Sequence, residues 1–370
     1  MMETSAPYIP TATLPEIAEI IRTTWTQPDR GHKQPRKTVF CLLGEPGIGK
    51  SSQGQQIRTT LAPVLGVTPE RSVMRNMSDM DVPDWRGLPD TTADATRWKP
   101  DEFFAHLREG TGPALLQLDE VSDCNAAQQN ALCSIVLDGK AGDLHLTDHL
   151  YIILTGNLAA HKTGANRLST KLGDRMSQFA VEFSQPAWEA WAHEHDMDPD
   201  IIAFHRWKAD TTAPAPPAGE PDRRVSDAFA FDPNRSINPT PRAWERASRF
   251  DRSLPPALYL KALASCLTLG PATEFIAFQQ YWKDLPTIEA VWANPTELPL
   301  PTALQGQYAL AMYVASLVQP GVATQFFTLV QRLPNMLRVP TVMAATTRCP
   351  GLVGTAAYSQ WAIANAHIMF

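Results

Sequence analysis

Long apolar runs are missing from this sequence. The longest apolar stretches, 257–269 and 308–318, are too short or too interrupted to span a bilayer, and read as buried helices. Cysteine is scarce and scattered: Cys41, Cys124, Cys133, Cys266 and Cys349 form no C-x-x-C pair. An odd, dispersed set argues against a disulfide framework and for buried, reduced thiols in a cytoplasmic setting. Basic charge is not in excess, since 32 Lys and Arg against 38 Asp and Glu leave a formal net charge of -6. That total leaves no whole-chain electrostatic footprint for nucleic acid, although a local basic strip is compatible with it. The first residues, Met-Met-Glu-Thr-Ser-Ala-Pro, show neither a basic region nor an apolar one, so no secretory signal is expected. Metal-ligand spacing is also lacking. His193-Glu-His195 is not an H-E-x-x-H motif, and its two imidazoles, two apart on a helix, face different directions. His145 and His149 are four apart but have no third His or Cys nearby, so no histidine metal site is expected.

What is present is a complete G-x-x-x-x-G-K-[ST] loop, Gly44-Glu45-Pro46-Gly47-Ile48-Gly49-Lys50-Ser51, with Ser52 continuing into the next segment. It follows the apolar run 38–43 and precedes a polar, helix-compatible stretch, which is the strand–loop–helix context that gives the pattern a mechanism. Gly44, Gly47 and Gly49 allow a tight turn that aims backbone N–H groups at phosphate oxygens. The helix that follows adds the positive end of its dipole. Lys50 then supplies a charge for the β- and γ-phosphates of ATP and Ser51 a hydroxyl for Mg²⁺.

Four further runs, 72–74, 114–118, 150–155 and 179–183, have the composition of buried parallel strands. Helical stretches alternate with them: 14–24, and 124–137 with a cap at Ser122 or Asp123 and a stop at Gly139. Strand and helix in alternation imply a three-layer α/β sheet with right-handed connections. The run 114–118 ends in Asp119 and Glu120. Alone, such a pair is often only a strand end. After a phosphate loop, Asp119 is placed to hold Mg²⁺ and Glu120 to polarise the attacking water. The next strand ends in Thr155-Gly156-Asn157, where Asn157 would bond that water or the γ-phosphate; an ordinary strand-to-turn Asn reads the same way in isolation.

Basic residues cluster at His161, Lys162, Arg167, Lys171 and Arg175. A nucleic-acid strip, a solvated helix face and an arginine finger reaching a neighbouring subunit's nucleotide are all open readings, with the finger favoured for Arg175 over Arg167. Arg242, in Pro239-Thr-Pro-Arg-Ala-Trp-Glu245, opens a helix, where a cation is disfavoured unless an anion lies close by. A γ-phosphate would be that anion; a surface arginine is the plain alternative.

Taken in this order, the motifs resemble those of the AAA+ ATPases, and more narrowly the MoxR-like branch. The less generic stretches are Met77-Ser-Asp-Met-Asp-Val-Pro-Asp-Trp-Arg-Gly-Leu-Pro89, residues 131–138 followed by Gly139-Lys-Ala-Gly-Asp-Leu, Leu172-Gly-Asp-Arg175, and 239–245. The resemblance covers residues 38–250. It implies a three-layer αβα P-loop NTPase core with a helical lid and a helical C-terminal region, assembling into a homo-oligomeric ring, usually a hexamer, with Mg²⁺-dependent ATP sites between subunits. Arg175 takes the arginine-finger position and Arg242 the sensor-2 position, acting on its own or the neighbour's nucleotide. Residues 88–99 and 142–151 resemble hairpin insertions of this branch. The implied partner is a protein client, often one with a von Willebrand factor A domain. Two departures stand out: Gln117 interrupts an otherwise apolar strand before Asp119, and Met176 follows Arg175 where Phe is common.

The expected organisation is an N-terminal helix and basic connector (1–37), the core (38–184), a lid (185–270) carrying a Pro-rich insertion (209–238), and a C-terminal helical region (271–370). A nucleic-acid-stimulated motor, helicase-like or restriction-associated, is the alternative function. It would require basic hairpins, whereas 88–99 is mixed in charge and 142–151 carries only histidines as possible cations.

Overall fold

The computed structural model describes residues 9–27, 38–92, 97–108, 110, 112–158, 166, 168–212, 222–283 and 285–365. Two compact units result. The first comprises Met1–Ala187 with Phe231–Ser236 and Thr240–Arg242, and the second Trp188–Ala230, Ile237–Pro239 and Ala243–Phe370.

In the first unit, β1 (Thr11–Thr13) leads into α1 (Leu14–Thr26), then β2 (Phe40–Gly44) into α2 (Lys50–Leu61). Next come β3 (Ser72–Asn76), α3 (Val82–Arg86), β4 (Leu88–Asp90), β5 (Arg97–Lys99) and α4 (Glu102–Ala105). The strand β6 (Ala114–Asp119) precedes α5 (Ala126–Asp138), and β7 (Lys140–Ala141) with β8 (Leu144–His145) precedes β9 (Leu150–Asn157). After α6 (Thr170–Gly173), β10 (Ser177–Glu182) closes the sheet, and α7 (Gln185–Glu194) begins, its residues from Trp188 onward belonging to the second unit. The main sheet is six-stranded, wholly parallel, in the order β1-β10-β2-β9-β6-β3.

A parallel sheet must be covered on both faces, and the strand sequences show how. Successive side chains point to opposite faces. Phe40, Leu42, Leu115, Tyr151 and Ile153 pack with Ile17, Ile21 and Trp25 of α1 and Ile57 and Leu61 of α2. Their alternates Cys41, Leu43, Leu116, Leu118, Ile152 and Leu154 pack with Trp85, Phe103, Phe104, Leu132 and Cys133 on the other side. The three-layer α/β expectation therefore holds: a parallel sheet covered by helices on both faces. The expected hairpin at 88–99 is β4 paired antiparallel with β5.

Three details differ from the sequence reading. A three-residue edge strand, β1, pairs with β10; it is too short to leave an alternation pattern. Helix α5 is capped by Asn125, whose Oδ1 accepts from the N–H groups of Ala127 and Gln128, and not by Ser122 or Asp123, which lie in a preceding 3-10 turn. Gly139, at φ 60°, does end the helix. The second hairpin is β7 with β8, so Gly142 sits in its turn and Leu150 and Tyr151 belong to the main sheet. His161, Lys162, Arg167, residues 1–8, the basic connector from 28 to 37 and residues 213–221 lie outside the described residues.

The second unit is helical: α8 (Pro199–Thr212), α9 (Pro241–Ala247, whose first residues belong to the other unit), α10 (Pro256–Leu267), α11 (Leu269–Lys283), α12 (Ile288–Ala293), α13 (Leu304–Leu317), α14 (Ala323–Arg332), α15 (Asn335–Arg348) and α16 (Ala356–Ala364). One core is aromatic. His205, buried and pushed well below its usual pKa by desolvation, stacks on Phe229 at 3.7 Å and meets Trp244 edge-on at 4.5 Å. Its Nδ1 lies 2.9 Å from Ser226 Oγ. Trp244 is tied to the Ala228 carbonyl by its indole N–H, 3.2 Å. A second core gathers Leu310, Val314, Phe326, Val330, Val342 and Trp361. No helix among the described residues is long and apolar enough to cross a membrane.

Candidate functional site

Adjacent strand ends in a parallel sheet deliver their last side chains to one crevice. Here β2 ends in Gly44, β6 in Asp119 and β9 in Asn157, and Gly44 is in register with Asn157. The crevice is lined by Pro46, Gly47, Lys50, Ser51, Asp119, Glu120, Gly156, Asn157 and Arg242. Most of the polar residues singled out in the sequence thus converge there, although they come from four separate stretches of chain.

The loop between β2 and α2 turns through Gly47 at φ 78° and Gly49 at φ 100°, conformations that side-chain-bearing residues rarely adopt. A Cβ on Gly47 would also stand 2.7 Å from Thr240 Oγ1. On the other side of that contact the Arg242 N–H donates to the Gly47 carbonyl, 3.3 Å, so the start of α9 is fastened to the loop. Arg242 is itself exposed and lines the crevice. Glu45 and Ile48 complete the loop, with Ile48 packed into the α1/α2 core; Ser52 follows in the first turn of α2.

Lys50 is only 7% exposed. Its Nζ donates to the carbonyls of Gly44 (3.1 Å) and Glu45 (2.6 Å) and to Asn157 Oδ1 (3.2 Å). Burial lowers its pKa to about 8, opposed by the nearby carboxylates of Glu120 and Asp119. Asn157 relays onward: its Nδ2 donates to Glu120 Oε2 at 3.3 Å. Burial, then the charges of Asp119 and Asp123, raises the Glu120 pKa, while Lys50 and Arg242 pull it down. A carboxylate held this way is disposed to accept a proton. Glu120 also takes a left-handed backbone, φ 61°, which is uncommon for a residue other than glycine and turns its side chain out of the strand line.

Two residues of the site were visible in the sequence without their roles. Thr155, fully buried on β9, donates its hydroxyl to Asp119 Oδ1 and so orients that carboxylate. Ser122, read there as a helix cap, instead accepts the Asn157 N–H on its Oγ at 2.9 Å. Gly156 permits this approach, since a Cβ there would stand 2.9 Å from Val121 and 3.1 Å from the Ser122 nitrogen. The signal for Thr155 is a polar residue on the strand beside that of Asp119 and Glu120, facing Asp119 across β9 and β6; sequence alone does not show that pairing.

Arg175 is not among the residues lining the crevice. It follows α6, just before β10, where its Nη1 donates to the Lys171 carbonyl and its buried Nε has no hydrogen-bond partner. Among the described residues no group of three or more His, Cys, Asp or Glu side chains converges as a metal site. Ser51 and Asp119 line the same crevice and offer hard oxygen donors, the kind Mg²⁺ takes when nucleotide phosphates and waters complete its shell. The glycine loop with Lys50 at its base equally fits a polyphosphate.

Residues 39–176 match the family model for the AAA domain, dynein-related subfamily, so this segment is similar to that family. It holds every site residue named above except those at 240–242. Among solved structures, the chain is similar to the Thermotoga maritima RuvB Holliday junction branch migration motor, at 13% identity and a TM-score of 0.37, covering 77% of this chain and 75% of that one. A mutant of the same motor matches at the same identity and score, with 74% of its chain covered. No curated protein matches the sequence.

Proposed function

We propose that this chain binds ATP with Mg²⁺ in the crevice headed by Lys50, hydrolyses it to ADP and phosphate, and works as a MoxR-like homo-oligomeric ring that remodels or assembles a protein client. The carrying observation is the relay Lys50–Asn157–Glu120, closed beside Asp119 at the ends of adjacent strands. The glycine loop and Lys50 would hold the phosphates, and Ser51 and Asp119 would hold the metal. Bound there, Mg²⁺ would neutralise charge building up on the phosphate oxygens.

Glu120 would orient a water and take up its proton as the new bond to the γ-phosphorus forms and the bond to ADP breaks. Asn157 would keep Glu120 and Lys50 in place while this happens, and Arg242, beside the loop, would contact the γ-phosphate. An arginine aimed at the γ-phosphate is worth about 10³–10⁵ in rate where such fingers operate. Arg175 lies away from the crevice of its own chain, which supports its serving the neighbouring subunit's site.

The experiment is affinity capture with Glu120→Gln, loaded with ATP. Recovery of a protein client, with one bearing a von Willebrand factor A domain as the specific expectation, supports the reading. ATPase stimulation by DNA that falls steeply with salt would replace it with a nucleic-acid motor.

A further inference from the structure

Gln117 lies on β6 two residues before Asp119, on the face that Leu115 turns toward α2. It is fully buried. Its Nε2 donates to the backbone carbonyl of Ser51 at 3.1 Å, and its Oε1 is buried with no hydrogen-bond partner. Helix α2 is hollowed to receive it: a Cβ at Gly54 would stand 2.6 Å from Nε2 and 2.7 Å from Cδ. An apolar side chain would fill this place with no polar group to satisfy. A buried amide with one unpaired oxygen is a local loss of stability, and a glycine inside a helix is another. Two such losses meeting at one contact, next to the crevice, indicate a function that packing alone does not explain.

We infer that Gln117 is a positioning residue that fixes Ser51 relative to Asp119 and so sets how tightly the site takes Mg²⁺ with its nucleotide. β6 carries both the Asp119 carboxylate and the amide that anchors Ser51, so one rigid strand fixes the spacing of the two metal-facing oxygens. The inference rests on the nucleotide reading above and deepens it.

The test compares the full-length wild-type chain with Gln117→Met and Gly54→Ala. Methionine preserves the volume but cannot donate, and it removes the unpaired oxygen. Alanine at 54 pushes the amide off Ser51 while improving α2 as a helix. Binding of a fluorescent ATP analogue is titrated in EDTA and then against MgCl₂, and thermal unfolding is followed in parallel. Both variants are expected to keep metal-free nucleotide affinity within about twofold; Gln117→Met should unfold no earlier than wild type, whereas Gly54→Ala should unfold somewhat earlier because its Cβ crowds the buried amide. Both should need about three- to tenfold more Mg²⁺ for half-maximal effect, the range that one neutral hydrogen bond can produce. The double variant should be no worse than either single one, because both remove the same contact. An unchanged Mg²⁺ midpoint in stable variants overturns the inference, and so does a rise that simply adds in the double variant. Failure of wild type to bind the analogue at all would instead overturn the nucleotide reading.

Discussion

Glu120 combines a demanding backbone with a demanding environment, and the two can be separated by substitution. At φ 61° a side chain's Cβ is crowded, a penalty of roughly 1–2 kcal/mol for any residue but glycine. The carboxylate adds a second penalty through burial and the charges of Asp119 and Asp123. Its bond from Asn157, 3.3 Å, gives some of that back. Glu120→Ala removes the carboxylate but keeps the strained backbone, whereas Glu120→Gly removes both. The glycine variant gains chain freedom when unfolded, which subtracts about 0.5–1 kcal/mol from its advantage. The remainder makes Glu120→Gly more stable than Glu120→Ala by up to about 1 kcal/mol, the reverse of their order inside a helix. Thermal unfolding of the nucleotide-free proteins should place the glycine variant higher by up to about 2 °C, and neither variant should release phosphate from ATP. An alanine variant as stable as the glycine one, or more so, would refute the claim that Glu120 is held against its backbone preference.

Arg175→Ala should lower steady-state hydrolysis by about 10³-fold or more while leaving nucleotide affinity intact, read by phosphate release and by binding of a fluorescent ATP analogue. Mixing it with Glu120→Gln protein should restore partial activity, since each variant would supply what the other lacks at a shared site. Arg71 holds the carbonyls of Pro113 (2.9 Å), His106 (2.7 Å) and Gly112 (2.6 Å) at the entry to β6. Arg71→Met should therefore destabilise the chain by about 3 kcal/mol or more, the loss of several charge-assisted bonds, seen as an earlier unfolding transition in urea.

The phosphate loop, Asp119, Glu120 and Asn157 were legible in sequence because each ends an apolar strand, and strand ends in a parallel sheet share one crevice. The two-faced sheet was legible for the same reason: runs such as 150–154 are apolar at every position, as burial on both faces demands. Asn125 was missed as the cap of α5 because Ser122 and Asp123, two equally good cap types, come just before it. The roles of Thr155 and Ser122 depend on which residues face each other across neighbouring strands and turns, which residue spacing does not encode. Gln117 was visible only as a break in an apolar pattern. Its meaning needed Gly54, sixty-three positions earlier in the chain (117 minus 54), and no local rule links the two. The three residues of β1, which pairs with the edge of β10, were too few to carry any period at all.

Phosphate release from Mg-ATP by the purified full-length chain, beside nucleotide binding by wild type and Glu120→Gln, tests the central claim most directly. Wild type should release phosphate and stop when EDTA is added. Glu120→Gln should bind ATP as tightly as wild type yet release phosphate at least about a hundredfold more slowly. Equal release by both proteins, or no nucleotide binding by either, would contradict the account.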